Sequence, residues 1–225
     1  MNDAHGRHPA IPYAAPFAVF ILFLAVEKYL PFGPDVAYPL RVMVVSAVLF
    51  TVSRSLLRFR LTAPWTSLLL GIGVFVIWVA PDFLWPQYRD HWLFSNSLLG
   101  KPVSHVPEDL RTNLVFLVFR SAGCFLLVPV IEELFWRGFL ARWLIRPDFQ
   151  TLPLGAYTAF AFWAGSILFA LEHGPFWEVG LAAGLLYNAW MIRTKSLGDC
   201  ILAHAVTNLC LTGYVLAAGQ WRYWL

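Results

Sequence analysis

The chain has 225 residues, of which 59% are hydrophobic and only 13% charged, and its mean hydropathy is +0.64; that apolar share excludes an ordinary water-soluble globule. Thirteen acidic and sixteen basic residues cannot cover a globule of this size without leaving large apolar patches, so lipid must solvate part of the surface. A net charge of +3, with no basic run interleaved with aromatics, sets nucleic acid aside as a partner.

A helix crosses a hydrocarbon core of about 30 Å with about twenty apolar residues. Candidate windows follow one another along the chain: Tyr13–Tyr29, Pro39–Leu56, Thr66–Leu84, Asn113–Val128, Leu154–Leu171, Trp177–Ile192 and Leu197–Leu216. A further apolar stretch, Val130–Ile145, follows Pro129 directly. Proline removes a backbone donor and clashes with the preceding turn, so the stretches around Pro129 form either one kinked helix or two short ones. The expected fold is therefore all-α, a polytopic transmembrane bundle of seven to eight helices. Residues 1–225 are expected to form a single integral membrane domain, with a motif-bearing core at about 113–216.

Arg7 followed by the apolar run from Tyr13 resembles a signal peptide only superficially. No small-residue cleavage site ends the run before Glu27 and Lys28, and it reads as a retained first span. The segment Trp85–Leu110, with Pro86, Pro102 and Pro107, is the longest polar interruption and is expected to hold an interfacial element or lid. Basic residues fall in alternate connections: Arg54, Arg58 and Arg60, then Arg142 and Arg146, then Arg193 and Lys195. These connections should face the cytoplasm, which gives a multi-pass protein of the cell membrane with a cytoplasmic N-terminus. Cys124, Cys200 and Cys210 lie in apolar stretches and read as buried thiols, not as a disulfide framework.

An ionisable residue at the centre of a membrane helix costs roughly 2.5–3.5 kcal/mol, so such residues are functional candidates whose partners must be found. Three places carry them. In Pro129–Gly138, Glu132, Glu133 and Arg137 interrupt an apolar helix. Glu133 and Arg137 are four apart with the acid first, the favourable order for a helical ion pair. Glu132 lies about 100° around the helix from Glu133, and a desolvated carboxylate beside an ion pair suits a general base. The second place is Glu172–His173, at the end of an apolar helix and before Gly174–Pro175. The third is His204 with Asn208, on one helix face, where imidazole and carboxamide can donate two hydrogen bonds to one oxyanion. A lone His at a helix end is ordinarily a satisfied interfacial residue, and an Asn in a membrane helix can be glue between helices. The three places in order outweigh those separate readings.

Glu132-Glu133-x-x-x-Arg137, Phe169-x-x-x-His173 and His204-x-x-x-Asn208 resemble the three ordered motifs of the CAAX-protease and bacteriocin-processing family of intramembrane proteases, also called the CPBP or Abi family. The resemblance covers residues 132–208; the first hundred residues share only their membrane-spanning character. It implies a helical bundle around a water-filled chamber and an endopeptidase acting on membrane-associated, including lipidated, protein substrates within the bilayer. It also implies that Glu132 is the base, His173 its partner in activating water, and His204 with Asn208 the oxyanion hole, while Glu133 and Arg137 orient Glu132. A divalent metal such as zinc is left open, with Glu132, His173 and His204 as a two-His, one-carboxylate set. Glu172 is an additional acid that either supports the imidazole of His173 or contacts water. A straight Leu154–Leu171 span would carry His173 to the outer boundary while Glu132 would lie near the inner one, a mismatch that the kink at Pro129 or an unevenly inserted helix has to reconcile.

Two other readings compete. Cys200 and His204, four apart, could serve an exosortase-like thiol transpeptidase with Cys200 as nucleophile, which leaves the double glutamate unexplained. The buried polar residues could instead belong to a non-catalytic immunity scaffold or to a transporter, but no inverted repeat is visible.

Overall fold

Proline fits the first turn of a helix, whose N–H groups have no acceptor within it. It opens three of the long helices in the computed structural model, which describes residues 8–104 and 106–224. Arg7, on which the reading of the N-terminal charge rests, lies outside the described residues. The long helices are α1 (Ile11–Val26), α2 (Pro34–Val52), α3 (Pro64–Leu84), α4 (Leu114–Trp143), α5 (Ala159–Glu172), α6 (Trp177–Thr194) and α7 (Leu197–Ala218). Asn113, Thr158 and Ser196 begin α4, α5 and α7 as side-chain caps, each accepting a hydrogen bond from a first-turn N–H. No strand occurs among the described residues; the one isolated bridge joins Asn96 and Gly100.

Five of these helices are long and apolar enough to cross a membrane: α1 with the turn that follows it, α2, α3, α4 and α7. With 14 residues α5 is shorter, and α6 is not among the five. The lipid-facing character is plain on α3, where Leu69, Ile72, Val76 and Phe83 are exposed. Pro129 does not divide the chain. Leu114–Trp143 is one helix of 30 residues, so the windows Asn113–Val128 and Val130–Ile145 merge.

The continuity around Pro129 has a local cause. The helix widens to π-helical pairing over Gly123–Leu127 and again over Leu134–Leu140. In the first stretch the Val128 N–H bonds the Gly123 carbonyl, five residues back. The next donor in that register would be Pro129, which has no N–H. The Cys124 carbonyl is therefore left over, and a side chain from α7 takes it up, as described below.

α3 packs along α7, α5 along α6 and α1 along α2, while α4 threads between α1, α2 and α7. Residues at the start of α1, after α2, at the end of α4 and before α7 line one cavity, so the three basic connections meet at one end of the bundle. At the other end the 85–113 connection folds over the turn Gly174–Phe176. Arg89 there pairs with Asp82 at 2.9 Å and Glu178 at 2.7 Å and donates to the Pro175 carbonyl at 2.8 Å. The Trp177 indole donates to the Leu93 carbonyl at 2.9 Å.

The tightest helix crossing is at Gly71 of α3. A Cβ there would come within 2.4 Å of the Ala203 carbonyl oxygen and 2.7 Å of the Val206 Cβ on α7, and the Thr207 hydroxyl donates to the Gly71 carbonyl at 2.8 Å. Small residues permit this approach of two membrane helices. Gly71→Ala is expected to destabilise the protein by about 1–3 kcal/mol through overpacking. Gly73→Ala, where nothing lies within 4 Å of the added carbon, is expected to leave the melting temperature in detergent unchanged or slightly raised.

Candidate active site

Glu132 and Glu133 both point inward, with Glu133 wholly buried and Glu132 5% exposed. The Glu133 Oε1 atom accepts from Arg137 Nη1 at 3.0 Å and from His204 Nδ1 at 2.9 Å. The pair expected within the first motif is thus a bridge between the first and third motifs. Arg137 is held on its other sides as well. Its Nε donates to Asn188 Oδ1 at 3.0 Å, and its guanidinium lies over the Phe169 ring at 4.5 Å. Asn188 in turn donates to Ser166 Oγ at 2.8 Å and to the Phe162 carbonyl at 3.2 Å, which ties α4 to α6 and α5 through polar contacts in an apolar interior.

Glu132, His173, His204 and Asn208 line one cavity of about 150 Å³, together with Trp78, Cys124, Tyr187, Thr207 and Tyr223. The four arrive from α4, the end of α5, and α7. Glu132 sits well inside the 30 residues of α4, and His173 follows the 14 residues of α5 into the same cavity. At about 1.5 Å per residue α5 spans only about 21 Å.

The His173 ring packs edge-on against Trp78 with centroids 5.2 Å apart, and Gly180 of α6 leaves room for it, since a Cβ there would lie 3.2 Å from the imidazole. Its Nδ1 donates to the Phe169 carbonyl at 2.7 Å, which leaves Nε2 of the neutral ring as an acceptor. His204 is stacked on Tyr187, with centroids 5.2 Å apart and planes 25° apart. The Tyr187 hydroxyl is hydrogen-bonded to Thr207 Oγ1 at 2.7 Å. His204 Nε2 lies 4.0 Å from Glu132 Oε2, a buried oxygen without a hydrogen-bond partner among the described residues. The Asn208 amide donates one hydrogen to the Cys124 carbonyl at 2.9 Å, the group that Pro129 leaves unpaired, and keeps a second. At the cavity rim the Tyr223 hydroxyl donates to Asp82 at 2.8 Å. Burial, with the Asp82 carboxylate beside it, pushes the Tyr223 phenol up, so it remains a donor at neutral pH.

Glu172 does not line the cavity and does not bond His173, whose Nδ1 goes to the backbone. Cys200 is wholly buried, with its Sγ 3.8 Å from the Tyr187 carbonyl and from the Met191 sulfur, and it does not line the cavity. Among the described residues no three His, Cys, Asp or Glu side chains are grouped to hold a metal.

Sequence reading passed over Tyr187, Asn188 and Ser166, which support His204 and Arg137. The signal was present in Tyr187–Asn188, polar residues between Leu185-Leu186 and Ala189-Trp190 on an apolar helix. Trp78 and Tyr223 carried none, because aromatic residues are common throughout the chain. Removing one partner of a buried ion pair typically costs about 3–5 kcal/mol. Arg137→Ala is expected to lower stability in detergent by that amount, with folded yield and melting temperature falling accordingly, and Asn188→Ala to lower them less, since it leaves the Glu133 pair intact. Wild-type melting of Arg137→Ala would remove the structural role assigned to the pair.

Residues 114–210 match the model of a protein family described as Type II CAAX prenyl endopeptidase Rce1-like. No curated protein matches the chain, and no solved structure does. The matched segment runs from the start of α4 into α7 and contains all three motifs. The match and the five long apolar helices mark a multi-pass membrane protein. Over that segment, which is less than half of its length, the chain is similar to the Rce1-like type II CAAX prenyl endopeptidase family.

Proposed function

We propose that the protein is an intramembrane endopeptidase that hydrolyses a peptide bond in a membrane-associated protein, lipidated substrates included, with water activated by Glu132 and His173. The observation that carries this reading is the convergence of Glu132, His173, His204 and Asn208 from three helices on one small cavity inside an apolar bundle. Glu132 Oε2 and His204 Nε2, 4.0 Å apart, are spaced to share one water. Glu132 accepts a proton from that water while His173 Nε2 accepts its other hydrogen, and the oxygen adds to the scissile carbonyl carbon. The oxyanion accepts from the second Asn208 N–H and from Nε2–H of His204 as imidazolium, whose Nδ1–H is held by Glu133. Protonated Glu132 then gives its proton to the departing amide nitrogen, and the carbon–nitrogen bond breaks.

Glu133 and Arg137 act as positioning residues. In this reading α5 and α6 also cross the bilayer, which gives seven passes, with residues 113–216 as the catalytic core of a single domain in the cell membrane and the basic end, where α1 begins, in the cytoplasm. The thiol reading is the weaker one, because Cys200 lies away from the cavity behind Tyr187 and Met191.

Glu132→Gln keeps the shape and removes the proton acceptor. Cleavage of a membrane-anchored peptide is expected to fall by roughly 10²–10⁴. Asn208→Ala deletes one oxyanion donor and should lower turnover by roughly 10²–10³. Cys200→Ser should turn over at nearly the wild-type rate. An assay in which Cys200→Ser abolished cleavage and Glu132→Gln retained it would replace the glutamate mechanism with the thiol one.

A further inference from the structure

A concentration of positive charge lies away from the candidate active site, in a cavity of about 580 Å³ at the basic end of the bundle. Arg58, Arg60, Arg142 and Lys195 line it, and no acidic side chain does. The Arg142 guanidinium is spent on carbonyls, those of Gly138 and Leu152, so its charge is not neutralised. Arg58, Arg60 and Lys195 form no ion pair among the described residues. Asp199, which follows the lining residue Gly198 in the chain, does not itself line the cavity. Its oxygens accept from Thr62 at 2.9 and 2.5 Å, from Ala63 at 3.1 Å and from Ser67 at 3.3 Å.

These bonds fix the cavity before any ligand arrives. They hold the strand of chain carrying Arg60 against the start of α7, where the Ser196 hydroxyl donates to the Arg60 carbonyl at 2.7 Å. A Cβ at Gly198 would come within 2.6 Å of that carbonyl oxygen, so only glycine allows the contact. Lys195 ends α6 with φ +53°, the one described non-glycine residue in the left-handed region. Such a conformation costs of order 1–3 kcal/mol and persists where surroundings impose it. Four like charges are thus held together on a rigid frame with no protein counterion.

We propose that this cavity binds the phosphate of an anionic phospholipid headgroup. Guanidinium forks match phosphate oxygens in pairs, and basic pockets between membrane helices at the cytoplasmic side are suited to anionic headgroups. The position favours lipid over soluble phosphate as the source. The cavity is lined from the ends of α1, α4 and α7, three helices long and apolar enough to cross a membrane, and Tyr13, Phe59 and Leu197 give it an apolar side for the glycerol and upper acyl chain. The site is separate from the cavity that holds Glu132 and does not depend on the peptidase reading.

The test is a binding titration of the full chain in detergent, read by native mass spectrometry, with short-chain phosphatidylglycerol, short-chain phosphatidylcholine and inorganic phosphate as separate ligands. Wild type is expected to retain phosphatidylglycerol well above phosphatidylcholine. Each cation near such a surface contributes about fivefold in affinity, so Arg58→Gln with Arg60→Gln and Lys195→Gln should weaken phosphatidylglycerol about 100-fold. The phosphatidylcholine affinity and the melting temperature without lipid should not change. If the triple variant fails to fold, exposed Arg58→Gln alone should show the fivefold loss. Equal retention of the two lipids, or unchanged phosphatidylglycerol affinity in the variant, overturns the site. Displacement of phosphatidylglycerol by inorganic phosphate at equal concentration overturns the lipid as its occupant.

Discussion

Glu133 is wholly buried, and one of its oxygens accepts from both Arg137 and His204. An isolated carboxylate in such surroundings would be strongly unfavourable. Two charge-assisted hydrogen bonds meet that need and join α4 to α7 at a fixed depth. Arg137 carries the constraint onward to Asn188 and the Gly184 carbonyl on α6, and Asn188 carries it to Ser166 on α5. Four helices that present little but apolar surface to one another are thus registered by a single polar chain. In lipid, where apolar contact gives little preference for one helix register over another, such a chain sets the register.

The second constraint is Pro129. A proline within a membrane helix leaves carbonyls without donors, and neighbouring groups have to satisfy them. Here π-helical pairing shifts the unsatisfied carbonyl to Cys124, and Asn208 fills it. That bond fixes the rotamer of Asn208 and leaves its second N–H for another acceptor. One helix irregularity therefore accounts both for the continuity of α4 and for the orientation of a polar side chain on α7. The cavity lies between two apolar clusters, one around Ile131, Leu134, Phe169 and Ala203 and the other around Phe116, Phe176, Leu211 and Trp224.

The two ends of the molecule differ in kind. At the end near His173, Arg89 meets Asp82 and Glu178, and Tyr223 completes the network, so Arg89 is matched by carboxylates. The opposite end gathers arginines and a lysine without such partners. A charged group that its own chain leaves uncompensated points outward to another source of counter-charge, whereas a compensated one serves the packing. By that criterion the 85–113 connection is fastened to the bundle, and the basic cavity is open to a ligand.

Composition and hydropathy alone determined that the chain is helical and membrane-spanning, because too few charged residues exist to cover it in water. The three motifs were legible for a related reason. An ionisable residue inside an apolar helix is costly, so Glu132, Glu133, Arg137, His204 and Asn208 stand out against their neighbours without any structure. Helical spacing also gave the Glu133–Arg137 pair. What spacing along one helix could not give is what lies across from it. The bond from Glu133 to His204 joins residues 71 apart, and the one from Asn208 to Cys124 joins residues 84 apart. The window for α5 began at Leu154 and the helix begins at Ala159, because hydropathy marks where lipid is tolerated and not where hydrogen bonding begins. The convergence of three basic connections on one cavity was decided only in three dimensions, since charge along a sequence carries its sign but not its neighbours.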